Sequence, residues 1–164
     1  MAIQDGVECM LEITDTKGES QRAGFEDQID VVNWDWSVSQ SGSAHMGSGS
    51  GAGRVNVQDM SITKFVDSST HALFRACCSG RHFPKAKLTV RKAGGQPMPY
   101  FEITMEQVMV SNIGTGSELV EGQQVENISL NFARFTVEYT PQTEKGSGGA
   151  KKIMKYDIAK NVAE

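Results

Sequence analysis

Three histidines, three cysteines and two tryptophans are the side chains with the widest chemical scope here, and their spacing decides what they can do. His45, His71 and His82 are too scattered for an i,i+4 metal pair and have no carboxylate at ligand spacing, so no metal site is expected. Cys77 and Cys78 are adjacent on a helical pattern, where small buried hydrophobes are the expected reading rather than a redox pair. The run Gly47-Ser48-Gly49-Ser50-Gly51-Ala52 nearly matches a dinucleotide fingerprint. A strand follows it, however, where phosphate binding needs a helix N-terminus, and the Gly-Lys-Ser/Thr of a P-loop is missing. With no nucleophile, base and oxyanion donors in any one constellation, neither catalysis nor a cofactor is expected.

Lys85, Lys87 and Arg91 share one strand face, opposite Glu102, Thr104 and Glu106 across a hairpin, which predicts cross-strand ion pairing rather than an anion site. Trp34 and Trp36 alternate onto one face, which predicts a core face. Asn33, Asp35 and Ser37 then line the other, as a solvated surface or the wall of a cavity or channel. If instead both indoles were exposed, this strand would be the stacking platform of a monomeric carbohydrate-type binding module.

These residues are positioned by strands. Cys9, Leu11 and Ile13 alternate in a first strand, and a longer one spans residues 26–39. Apolar parity reverses between Val31 and Val32, between Val57 and Met60, between Met105 and Val108, and between Phe132 and Phe135. The side-chain period is two, so each reversal predicts a bulge or a change of buried face, as strands bending round a closed sheet require. One helix is expected, capped at Asp67 or Ser68, with Leu73, Phe74, Ala76 and Cys77 on its apolar stripe and Gly80 as its stop. A strand over 86–91, a linker over 145–150 and a last strand over 153–158 complete the pattern.

Between Trp36 and Val55 runs a thirteen-residue loop, Ser41 to Gly53, with five glycines and four serines. It is too long for a tight hairpin and cannot form its own core, so it is expected to be mobile or held from outside the domain.

At 164 residues the chain suits one domain over 1–164, and its 38% hydrophobic and 22% charged content is that of a soluble globular protein. A net charge of −4 argues against general nucleic-acid binding and gives no attraction to anionic membranes. The odd cysteine count suits free thiols in a reducing cytoplasm. Residues 1–8 have neither a basic region nor an apolar core, so no Sec-type signal is expected, and no apolar run is long enough for a transmembrane helix.

Several runs are familiar together: Lys17-Gly18-Glu19-Ser20, Trp34-Asp35-Trp36, Ser39-Gln40-Ser41-Gly42, His45-Met46-Gly47 and Gly51-Ala52-Gly53. Val55-Asn56-Val57-Gln58-Asp59, Arg91-Lys92-Ala93-Gly94 and Asn131-Phe132-Ala133 complete the set. In this order they resemble the Hcp family (haemolysin-coregulated protein) of type VI secretion over essentially the whole chain. The resemblance implies a mainly β fold, a two-sheet β-barrel with one flanking α-helix, assembling into hexameric rings that stack into an exported inner tube. It implies as partners other copies of the chain, a VgrG-type spike protein, a contractile sheath and small effector proteins in the lumen. Asn33, Asp35 and Ser37 are then expected to face lumen and effector, while Ser41, Gly42, Ser43, His45, Met46, Gly47, Gly51 and Gly53 form a ring or inter-ring contact loop. Localisation follows: cytoplasmic before firing, then secreted without a cleaved signal. Asp35 stands where relatives often carry a small neutral residue.

Overall fold

Six antiparallel strands close on themselves. The computed structural model describes residues 3–4, 6–41, 54–94, 97–143 and 147–164. In chain order the strands are β1 (Ile3–Gln4), β2 (Val7–Ile13), β3 (Ile29–Asp35), β4 (Val38–Ser39), β5 (Asn56–Val57) and β6 (Met60–Phe65). Then come α1 (Thr70–Ser79), β7 (His82–Lys92), β8 (Pro99–Val120), β9 (Gln123–Asn131), β10 (Arg134–Tyr139), β11 (Lys152–Asp157) and β12 (Val162–Ala163). The barrel runs β2-β3-β6-β9-β8-β7 and returns to β2, every pairing antiparallel. β10, β11 and β12 continue outward from the first half of β8, whose second half pairs with β9. The mainly β barrel with one helix is thus the fold observed.

Parity reversals proved to be of two kinds. The β3–β6 register shifts between Val31 and Asn33, a bulge at Val32 that leaves Val31, Trp34 and Trp36 facing inward. In β8 the reversal falls at Gln107, whose φ of 55° kinks the strand between Met105 and Val108. The other two are breaks between separate strands, β5 to β6 and β9 to β10, so the expected four long bent strands reduce to two. β8 and β9 join through Glu121-Gly122, both at positive φ (50° and 76°), as a two-residue type I′ hairpin demands.

The core comprises Leu11, Ile13, Ile29, Val31, Met60, Ile62, Leu88, Ile103, Met105, Ile128 and Leu130 from the barrel, closed on one side by Leu73 and Ala76 of α1. Gly80 ends α1 in the left-handed region, donating its N–H to Ala76 O. The N-cap is Ser69, not Asp67 or Ser68; its side chain does not cap, because Asp67 Oδ1 accepts from both its N–H (2.8 Å) and its hydroxyl (2.5 Å). Of the cysteines, Cys9 is buried and burial pushes its thiol up to about 12, leaving it inert. Cys77 is half-buried, but Cys78 is exposed, contrary to its reading as a small buried hydrophobe.

Cross-strand pairing on β7 and β8 follows expectation for Lys87, which meets Glu102 at 2.9 Å. Burial alone would raise the Glu102 carboxyl, but the Lys87 hydrogen bond and the charges of Lys87 and Lys151 outweigh it and hold that carboxyl below the ordinary carboxylate range. A depressed folded value stabilises above the unfolded pKa, about 4.3, and is lost as pH falls through the folded one. Lys87→Met is therefore expected to raise the Glu102 titration midpoint by NMR and move acid unfolding to higher pH. An unchanged midpoint would refute the assignment. Arg91 keeps the parity of Lys87 but pairs with Glu8, its register partner on β2, rather than across to β8, where the β7–β8 register shifts at Val90/Arg91.

Candidate functional site

Two polar arrays stand out. The first lies on the outside of the barrel across β3, β6, β9 and β8. Asn33 and Asp35 are exposed on β3, opposite in parity to Trp34, and Ser37 is exposed just beyond it. Register places Asp35 beside Ser61 and Asn33 beside Thr63, then Ser61 beside Ser129 and Thr63 beside Asn127, and finally Ser129 beside Asn112. Four strands at about 4.8 Å spacing make a face roughly 14 Å across.

Hydroxyls and amides knit this face together. Thr63 Oγ1 donates to Asn127 Oδ1 at 2.8 Å. Asp59 clamps one rim, accepting from Ser111 Oγ at 2.6 Å and from Asn131 Nδ2 at 2.8 Å. None of the laddered positions is Lys or Arg, and the Asp35 carboxylate has no hydrogen-bond or ion-pair partner among the described residues. The structure thus brings Asn33, Asp35 and Ser37 together on a cation-free surface able to accept hydrogen bonds.

Trp34 and Trp36 are half-buried beneath it. Trp34 stacks on Phe101 with centroids 6.1 Å apart, while Trp36 meets Phe135 at 4.9 Å and donates its indole N–H to Gln58 O at 2.9 Å. Indoles committed to these contacts are core edge, not a carbohydrate platform. Of the contact-loop residues, Ser41 is exposed and donates its N–H to Gln40 Oε1. Gly42, Ser43, His45, Met46, Gly47, Gly51 and Gly53 lie outside the described residues. The loop springs from a small ladder of β4 on β5, so of the strand expected over 55–59 only Asn56 and Val57 form one, and Val55, Gln58 and Asp59 stand outside it.

The second polar array is buried, and it went unnoticed in the sequence. Glu8 is buried between two guanidinia: one oxygen takes Arg22 Nη1, the other takes Arg91 Nε at 2.7 Å. Arg22 Nε reaches on to Asp30 at 3.2 Å, and Arg91 lies over the Phe25 ring at 4.7 Å. Nearby, Lys64 and Glu126 form a pair without solvent exposure at 2.5 Å. Lys64 Nζ also meets Phe65 O and Asp67, and Glu126 accepts from Thr70 in the first turn of α1. A signal existed: Lys64 continues the buried parity of Met60 and Ile62, and Glu126 that of Ile128 and Leu130. Opposite charges at core positions of neighbouring strands predict a buried pair. Among the described residues no cluster of His, Cys, Asp and Glu could hold a metal ion.

Comparison with known proteins places this geometry. The family model described as "Type VI secretion system effector, Hcp" matches residues 10–139. Protein hcp1 of Pseudomonas aeruginosa is 48% identical over 159 residues, covering 95% of this chain and 98% of its own length. Among solved structures, Hcp1 from Salmonella typhimurium superposes with a TM-score of 0.80 at 28% identity, covering 97% of this chain and 99% of that one. A type VI secretion system effector from Yersinia pestis gives 0.74 at 22% identity, covering 92% and 99%, a likeness of fold alone. The chain belongs to the Hcp family, the tube proteins of type VI secretion.

Proposed function

We propose that this chain is the structural subunit of a type VI secretion inner tube, closing into hexameric rings that stack and are exported. The cation-free face of Asn33, Asp35, Ser37, Ser61, Thr63, Asn127 and Ser129 carries the reading. A broad, hydrated wall without cations or exposed aromatics suits a lumen through which cargo slides without sticking. Family membership supports self-association, and the barrel supplies a rigid block for it. The chain has no catalytic activity of its own. It works in the cytoplasm before firing and outside the cell afterwards. Its partners are its own copies, a VgrG-type spike, the surrounding sheath and small effectors in the lumen.

Light scattering on a sizing column, with electron microscopy of the same fractions, tests this directly. A hexameric mass and annular particles are expected. A monomer at every concentration, with no annuli, would overturn it. Asp35 contributes one unpaired carboxylate per subunit, so a ring would carry a circle of them and favour cargo with basic or hydrogen-bond-donating surfaces. Asp35→Ser is expected to reduce recovery of such cargo in a pull-down; equal recovery would reject the role.

A further inference from the structure

A cavity of about 600 Å³ opens at the end of the barrel where β6 finishes. Glu19, Asp30 and Asp67 rim it, Phe65 and Val66 form an apolar wall, and Arg22 lines it. Five carboxylates in and around it (Glu8, Glu19, Asp30, Asp67, Glu126) meet three cations (Arg22, Lys64, Arg91), leaving an excess of negative charge. Arg22 is only 9% exposed, and two of its nitrogens are paired with Glu8 and Asp30, but its Nη2 has no partner. An unmet buried donor costs on the order of 1–3 kcal/mol, so the site is incomplete as it stands. Its complement is an ammonium for the rim, a carbonyl acceptor for Arg22 Nη2 and an apolar side chain for Val66, which is 41% exposed.

The chain carries that complement elsewhere. On β11, Lys152 and Met154 share a face, Lys152 lying beside Tyr139 of β10. Met154 and Tyr139 are 45% and 47% exposed, and Lys152 is exposed with no ion pair among the described residues. β11 ladders only with β10 and β12, away from the cavity, so the two surfaces meet only between molecules.

We propose that the cavity is a socket for Lys152 of a second copy of this chain. The ammonium sits among Glu19, Asp30 and Asp67, a main-chain carbonyl of the incoming strand accepts from Arg22 Nη2, and Met154 covers Val66. Such a contact joins unlike surfaces and repeats from copy to copy, as rings and stacks require. The inference rests on the proposed assembly and deepens it by naming one contact.

Charge exchange tests it. Glu19 and Lys152 are both exposed, and Glu19 makes one exposed hydrogen bond, from Ser68 N–H at 3.1 Å, so Glu19→Lys and Lys152→Glu are expected to stay folded by circular dichroism, Glu19→Lys melting slightly earlier than the parent. Each alone is expected to lose the assembled species on the sizing column, and the two together in one chain to regain it. Single variants that assemble like the parent, or a double variant that stays dissociated, would overturn the socket while leaving the tube reading intact. A parent protein that is itself monomeric would overturn both. Oxidation of Val66→Cys with Met154→Cys, in a Cys77→Ser, Cys78→Ser background, gives a second measurement. A ladder of covalent multimers is expected, and assembled particles without one would again overturn the socket.

Discussion

Lys64→Met is expected to destabilise the monomeric fold by about 3–5 kcal/mol in urea unfolding, the largest effect of any single change outside the apolar core. Lys64, on β6, is without solvent exposure, and its ammonium meets Glu126, Asp67 and Phe65 O together. Methionine fills similar volume but leaves the Glu126 carboxylate buried beside a hydroxyl alone, so the penalty comes from a stranded charge rather than a cavity. That distinction makes the result checkable. Adding Glu126→Leu should recover about half of the loss, since an apolar replacement of a whole buried pair is often neutral. If the double variant is no better than Lys64→Met, desolvation is not the cause.

Glu8→Ala is expected to rank next, at about 3 kcal/mol, and to act locally. Glu8 holds Arg22 and Arg91 together; without it two guanidinia face each other in a buried site. Relief comes from the segment over residues 18–28, which carries Arg22 and Phe25. Gly18 packs so closely on it that an added Cβ would lie 2.5 Å from Gln28 O. Hydrogen exchange should therefore quicken at Gly18, Ser20 and Asp27, whose N–H groups bond within this segment, and stay slow in β8 and β9. Uniform loss of protection would show that the network stabilises the whole barrel rather than this flap.

The fold was legible wherever a local pattern was enough. The glycine stop of α1 and the inward parity of Trp34 and Trp36 follow from residue type and a period of two. So does the bulge at Val32, because a reversal inside one strand has few other causes. The breaks before Met60 and before Arg134 look the same in sequence and are not bulges; only the partner strand distinguishes them. The face of Asn33, Asp35 and Ser37 could be read from β3, but its width depends on β6, β9 and β8, which one strand does not reveal. The Glu8, Arg22 and Arg91 network joins positions 14 and 83 residues apart, so nothing local announced it.

β11 has a further consequence for a copy that has met no neighbour. Beyond the pairing of Tyr156 and Asp157 with β12, residues 152–154 present an open row of main-chain donors and acceptors, the template on which fibrils grow. Lysines at 152 and 155 bracket Ile153 and Met154, making stacking of identical strands in register repulsive. Lys152, which suits an acidic pocket, would thus join Lys155 in keeping a newly made chain from precipitating.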